Sequence, residues 1–86
     1  MIRVLLFAQL REQLGQPEIE LAFVADESVA AMIERLIALH GQNWQVLASP
    51  DTHVALNQVE LAAEELSAQV LSEGDELAFF PPVTGG

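Results

Sequence analysis

The last eight residues of this 86-residue chain, Phe79-Phe80-Pro81-Pro82-Val83-Thr84-Gly85-Gly86, are the stretch whose composition most directly suggests chemistry. Gly85 and Gly86 have no Cβ, so a slot too narrow for any side chain still admits them, and they take backbone angles that other residues avoid. Pro81 and Pro82 fix φ and remove two backbone donors, which predicts that a sheet ladder stops there and the chain leaves as an extended arm. Six residues at about 3.3 Å each span about 20 Å. Such a thread can carry one reactive group, the Gly86 carboxylate, into the pocket of another protein. The same two glycines also fit an inert chain end, where small residues are tolerated.

The remaining reactive side chains offer little else. There is no cysteine, which excludes disulfides, thiolate-bound metal and a thiol nucleophile. His40 and His53 sit at the end of a predicted helix and the start of a predicted strand, and two ligands are too few for a metal site. Glu64-Glu65 and Asp75-Glu76 read as solvated turns rather than as an acid and base pair. Ser28 reads as a helix cap, with no histidine arranged around it. No glycine-rich phosphate loop is present, so nucleotide is not expected to bind this chain. Three Arg against 13 acidic residues give a formal charge of −10. That balance argues against nucleic acid and for a basic partner surface, and it also serves solubility. Arg11 is a candidate partner contact or an internal ion-pair donor.

The elements that must position the tail follow from periodicity. Ile2 to Phe7 reads as a strand with Ile2, Val4 and Leu6 on the core face and Leu5 and Phe7 on the other. Ala8 to Leu14 suits one or two helical turns closed by a left-handed Gly15. Glu18 to Phe23 alternates, placing Ile19, Leu21 and Phe23 inward on a strand paired with the first. Asp26 and Glu27 precede Ser28 at the positive end of a helix dipole, and Val29, Met32, Ile33, Leu36, Ile37 and His40 recur at helical spacing until Gly41. Trp44 and Leu47 are expected to cover one end of the core from an irregular turn.

His53 to Leu56 and Val59 to Leu61 read as a hairpin about Asn57-Gln58, with Asn57 suited to positive φ. Ala62 to Gln69 scores as helical by propensity, with loop and a short strand near Leu66 as the other reading. Glu76 to Phe80 is a last strand, Leu77 and Phe79 on one face, Ala78 and Phe80 on the other. The order predicts an α+β domain over residues 1–80, a mixed sheet packed on one main helix, followed by the tail 81–86. Leu5, Phe7 and Phe80 then form an apolar patch on the uncovered face, the kind of surface that marks docking. No apolar run is long enough to cross a bilayer, and no secretory signal opens the sequence, so the expected location is the cytoplasm.

Ile2 to Phe7 followed by Ala8-Gln9-Leu10-Arg11-Glu12, the Leu56-Asn57-Gln58 turn, Gly74 to Phe80, and the terminal Pro81-Pro82-Val83-Thr84-Gly85-Gly86 together resemble the small-subunit family of molybdopterin synthase. The resemblance spans nearly the whole chain and is weakest from Glu60 to Ser72. It implies the ubiquitin-like β-grasp fold and a sulfur carrier in molybdenum cofactor biosynthesis. A ubiquitin-activating-like adenylyltransferase would use ATP to adenylate Gly86, and a sulfur donor protein would convert it to a thiocarboxylate. The large synthase subunit, in an assembly of two copies of each chain, would take the sulfur for the dithiolene. Pro81, Pro82, Val83, Thr84 and Gly85 would be the tail bound in the partner's tunnel, and Phe7, Phe80, Leu5 and Arg11 would contact the partner. The chain itself would bind no cofactor and no metal, and its partners would include neither nucleic acid nor membrane. The absence of lysine fits an acyl adenylate, which amines attack. The sulfur carrier of thiamine synthesis and a ubiquitin-like modifier of lysines are the alternatives.

Overall fold

A computed structural model of the chain describes residues 1–82. The chain runs β1 (Ile2–Leu6), α1 (Ala8–Leu14), β2 (Glu18–Leu21), α2 (Val29–His40), a 3₁₀ segment Gln42–Ala48, β3 (His53–Leu56), β4 (Val59–Leu61), a 3₁₀ turn Ala63–Glu65, and β5 (Glu76–Phe80). The strands form one sheet in the order β2-β1-β5-β3-β4. β1 is antiparallel to β2 and parallel to β5, and β3 is antiparallel to both β5 and β4, so the sheet is mixed. The expected architecture, a mixed sheet with one main helix, is the one observed.

Alternation in the strands sets the core. Ile2, Val4 and Leu6 of β1, Val54 of β3 and Leu77 and Phe79 of β5 are buried with Val29, Met32, Ile33 and Leu36 of α2 in one cluster. Trp44 and Leu47 of the 3₁₀ segment close one end of it, as the sequence predicted. Ser28 caps α2, its Oγ accepting from the Ala31 amide at 3.1 Å. Gly15 ends α1 at φ 78, with its amide donating to the Arg11 carbonyl. Asn57 and Gln58 both take positive φ, 49° and 71°, which is the two-residue hairpin turn whose twist matches the strands.

Several expectations are corrected. β1 ends at Leu6; Phe7 turns out of the strand to start α1, although its amide still donates to the Phe79 carbonyl. β2 ends at Leu21, and Phe23 packs half-buried against the core from the following loop. The buried stripe of α2 ends before His40, which is exposed and stacks on Trp44 with ring centroids 4.1 Å apart. Glu27 lies just before the Ser28 cap of α2, where it also has a side-chain partner. It forms a two-pronged pair with Arg35 at 2.9 and 2.8 Å, and Arg35 also donates to the Ala22 carbonyl at 2.7 Å. The hydrogen bond to Glu27 holds the Arg35 guanidinium above its ordinary value in spite of burial.

The stretch 62–69 is a single 3₁₀ turn and loop, the second of the two readings but without its short strand. After the turn Ala63–Glu65 it supplies carbonyls to orphan amides of the first turn of α2: Ala30 donates to Leu66 and Val29 to Gln69, each at 2.9 Å. This segment therefore caps α2 with backbone, and Leu66 sits half-buried on the core rather than in a strand. Among the described residues no helix is long and apolar enough to cross a membrane.

Candidate functional site

β5 is the central strand, bonded to β1 on one side and β3 on the other. It ends at Phe80, after which Pro81 is half-buried and Pro82 exposed. Val83, Thr84, Gly85 and Gly86, named above as tunnel and reaction residues, lie outside the described residues. The root of the tail is thus fixed at the middle of the sheet, at the end where β1 and β5 both point.

The face of the sheet turned away from α2 can be read from the register. Phe7 and Phe80 stand side by side at the tail root, their rings stacked with centroids 4.7 Å apart and planes 4° from parallel. Each remains 38% exposed, so an apolar double wall faces water. The next row is Glu18, Leu5, Ala78, Ala55 and Glu60, across β2, β1, β5, β3 and β4 in turn. Two alanines side by side lower the surface there, and the dip below the phenylalanines forms an open groove of about 370 Å³ that Gln58, Glu60 and Glu76 border. The third row is Glu20, Arg3 and Glu76.

Charge surrounds this apolar centre in an ordered way. Arg3 pairs with Glu18 at 2.9 Å and approaches Glu76 at 3.8 Å. His53, opposite Phe80 in the register, holds Glu60 through Nδ1 at 2.8 Å. Four carboxylates, on Glu18, Glu20, Glu60 and Glu76, therefore face one guanidinium and one imidazole, and the rim of the patch is acidic. A partner that covers the patch needs an apolar projection flanked by cations.

Of the residues singled out from sequence, Phe7, Phe80 and Leu5 come together on this face. Arg11 does not: it is exposed on α1, outside the groove, and among the described residues it pairs with no carboxylate. Ala55, Ala78, Gln58 and Glu60 belong to the face and were not named as docking residues, and His53, weighed only as a metal ligand, stands opposite Phe80 beside it. Ala78 was legible from alternation with Phe80, but Ala55 and Glu60 reach the face only through the β5-β3-β4 pairing. Among the described residues no group of three potential ligands could hold a metal ion.

Five strands in this order, one helix laid across one face, and a central last strand ending in a proline-led tail define a ubiquitin-like β-grasp protein. Residues 4–86 match the ThiS family, and the chain belongs to it. It is similar along its whole length, and theirs, to the molybdopterin synthase sulfur carrier subunits of Haemophilus influenzae, 39% identical over 87 residues, and Escherichia coli, 40% identical over 88. Among solved structures it resembles the crystal structure of SAMP1 from Haloferax volcanii, with a TM-score of 0.78 and 27% identity, covering 99% of this chain and 98% of that one.

Proposed function

We propose that this chain is a sulfur carrier of molybdenum cofactor biosynthesis that docks through its open sheet face and works through the Gly86 carboxylate. Full-length similarity to two molybdopterin synthase sulfur carrier subunits supports the pathway. The observation that carries the mode of action is the placement of the Phe7–Phe80 stack at the root of the tail. A partner that grips this stack holds the point at which the tail leaves the sheet, so binding on the face brings the carboxyl end within its reach.

A free carboxylate is a poor electrophile, so exchange of oxygen for sulfur needs activation. In the proposed sequence a Gly86 oxygen attacks the α-phosphorus of ATP, held by a ubiquitin-activating-like enzyme, and pyrophosphate leaves. Hydrosulfide released by a donor protein then attacks the acyl carbon and AMP departs, leaving a thiocarboxylate. The thiocarboxylate is ionised near neutrality and nucleophilic, which lets a chain without cysteine deliver sulfur. The large synthase subunit, with two copies of each chain in the assembly, supplies the basic groups and the substrate pocket. The carrier contributes the docking face, the thread and the sulfur, and acts in the cytoplasm.

Intact mass after incubation with ATP, the activating enzyme and a sulfur donor tests this reading. The expected gain is about 16 Da, oxygen replaced by sulfur, and deleting Gly86 should abolish it without changing the unfolding transition. An unchanged mass in the full-length chain refutes the carrier, and adducts of protein size instead show a modifier.

A further inference from the structure

A second concave surface lies at the opposite side of the β3–β4 hairpin, and the sulfur-carrier reading makes no use of it. A groove of about 520 Å³ runs between α2 and the hairpin, with the segment after β4 as its outer wall. This is within the range of clefts that hold ligands, about 300–1,000 Å³. Ile33, Leu47, Val54, Leu61 and Leu66 line it, and the last two are only half-buried, so apolar surface stays in contact with water. The walls are held in place: the Ala30 amide donates to Leu66, and the Ala62 amide is bonded by Glu65 at 2.7 Å.

The charge on this groove selects the occupant. Its two carboxylate side chains are Glu34, exposed on α2, and Glu60 on β4, while the one lining group able to carry positive charge, His53, is already engaged by Glu60. None of the three arginines lines it. A second copy of the chain is a poor occupant, because each copy carries −10 and two of its three arginines, Arg3 and Arg35, are committed to internal pairs. Nucleic acid is disfavoured by the same sign of charge.

We infer that the groove between α2 and the β3–β4 hairpin is a second docking site, for a basic protein segment that inserts aliphatic or aromatic anchors flanked by arginine or lysine. Glu34, exposed on α2, receives a cation on one side, and Glu60, which holds His53 and also borders the open face, stands at the hairpin edge on the other, while Leu61 and Leu66 take the anchors. The groove opens on the helix side of the sheet, away from Phe7 and Phe80. A partner there leaves the Phe7–Phe80 stack and the root of the tail uncovered, and shares one rim carboxylate, Glu60, with any occupant of the open face. This inference stands whether or not the chain carries sulfur.

The test uses the whole chain, labelled with ¹⁵N, and an acetylated, amidated hexapeptide in which leucine and phenylalanine alternate with arginine. A matched peptide has glutamate at every arginine. Saturable amide shifts at Ile33, Leu61 and Leu66 with the arginine peptide, and none with the glutamate peptide, are expected. Glu34→Arg and Ala63→Trp both change exposed positions of the groove, so thermal unfolding should be unaffected. Each should weaken the arginine peptide by about fivefold or more. The inference is overturned by equal binding of the two peptides, by shifts centred on Phe7 and Phe80, by no saturable shift, or by variants that bind as well as the wild type.

Discussion

Phe79 and Phe80 are neighbours in sequence on opposite faces of β5, so alanine at each separates the fold from docking. Phe79 is fully buried in the core cluster, and its loss removes a large side chain from a packed site at a cost of about 3–5 kcal/mol. A domain of this length has roughly 4–13 kcal/mol of stability in all, so Phe79→Ala should unfold at much lower urea. Phe80→Ala loses the stack with Phe7, about 1 kcal/mol, with a comparable amount of apolar contact, and the chain should stay folded.

Docking reverses the ranking. The 38% of Phe80 left exposed, on a side chain of about 200 Å², offers about 75 Å² to a partner, or about 2 kcal/mol. Its removal should raise the dissociation constant for the large synthase subunit by about 30-fold. Urea unfolding and calorimetric titration with the purified large subunit, run on both variants, measure the two quantities. If Phe80→Ala binds within about threefold of the wild type, the open face is not the docking surface and the reasoning fails. If Phe79→Ala is the milder of the two for stability, the assignment of faces is wrong.

Arg35→Ala should destabilise the fold by about 3 kcal/mol in urea unfolding, because it strands Glu27, whose side chain is only 10% exposed, and frees the Ala22 carbonyl. The Met1 ammonium holds the Glu73 carboxyl below its ordinary value near 4.5, so the native state keeps this group ionised further into acid than the unfolded state does. Its stabilisation is then complete above that ordinary value and fades as pH falls through the lowered one, and Glu73→Gln should flatten this part of a stability–pH curve. The acidic rim formed by Glu18, Glu20, Glu60 and Glu76 should steer a basic partner, so raising salt from about 0.05 to 0.5 M should slow association by about tenfold in stopped-flow measurements and change dissociation little.

The parts of this protein that were legible in the sequence are those fixed by local periodicity. Ile2, Val4 and Leu6 against Leu5 and Phe7, or Leu77 and Phe79 against Phe80, declare their faces because side chains alternate along any strand. Asn57-Gln58 declared its turn, and Ser28 its cap. Alternation does not say which strands are neighbours, so the contribution of Ala55 and Glu60 to the open face follows only from β3 lying between β5 and β4. Ala62 to Gln69 looks helical because alanine, glutamate and glutamine favour helices, yet with Leu66 as its one large apolar residue it has no stripe to bury. Its observed work, offering Leu66 and Gln69 carbonyls to α2, leaves no signature in residue type. The positive φ of Ala8 and Asp26, 51° and 64°, is likewise imposed by the connections they make.

The placement of the last strand explains how a small domain can present a thread and still hold together when the thread is gripped. Sequence order would allow the final strand to add at an edge, where a pull on the tail strips one ladder of hydrogen bonds. Here β5 enters between β1 and β3, so both of its sides are bonded, and Leu77 and Phe79 are fully buried. A force on Pro81 must break two ladders and expose the core at once, whereas β2 and β4, at the edges, carry three of the four rim carboxylates, Glu18, Glu20 and Glu60. The strand that bears the tail is thus the one least easily removed. The change from apolar strand to Pro81-Pro82 falls where the sheet ends, so the two residues without a backbone donor lie outside both ladders.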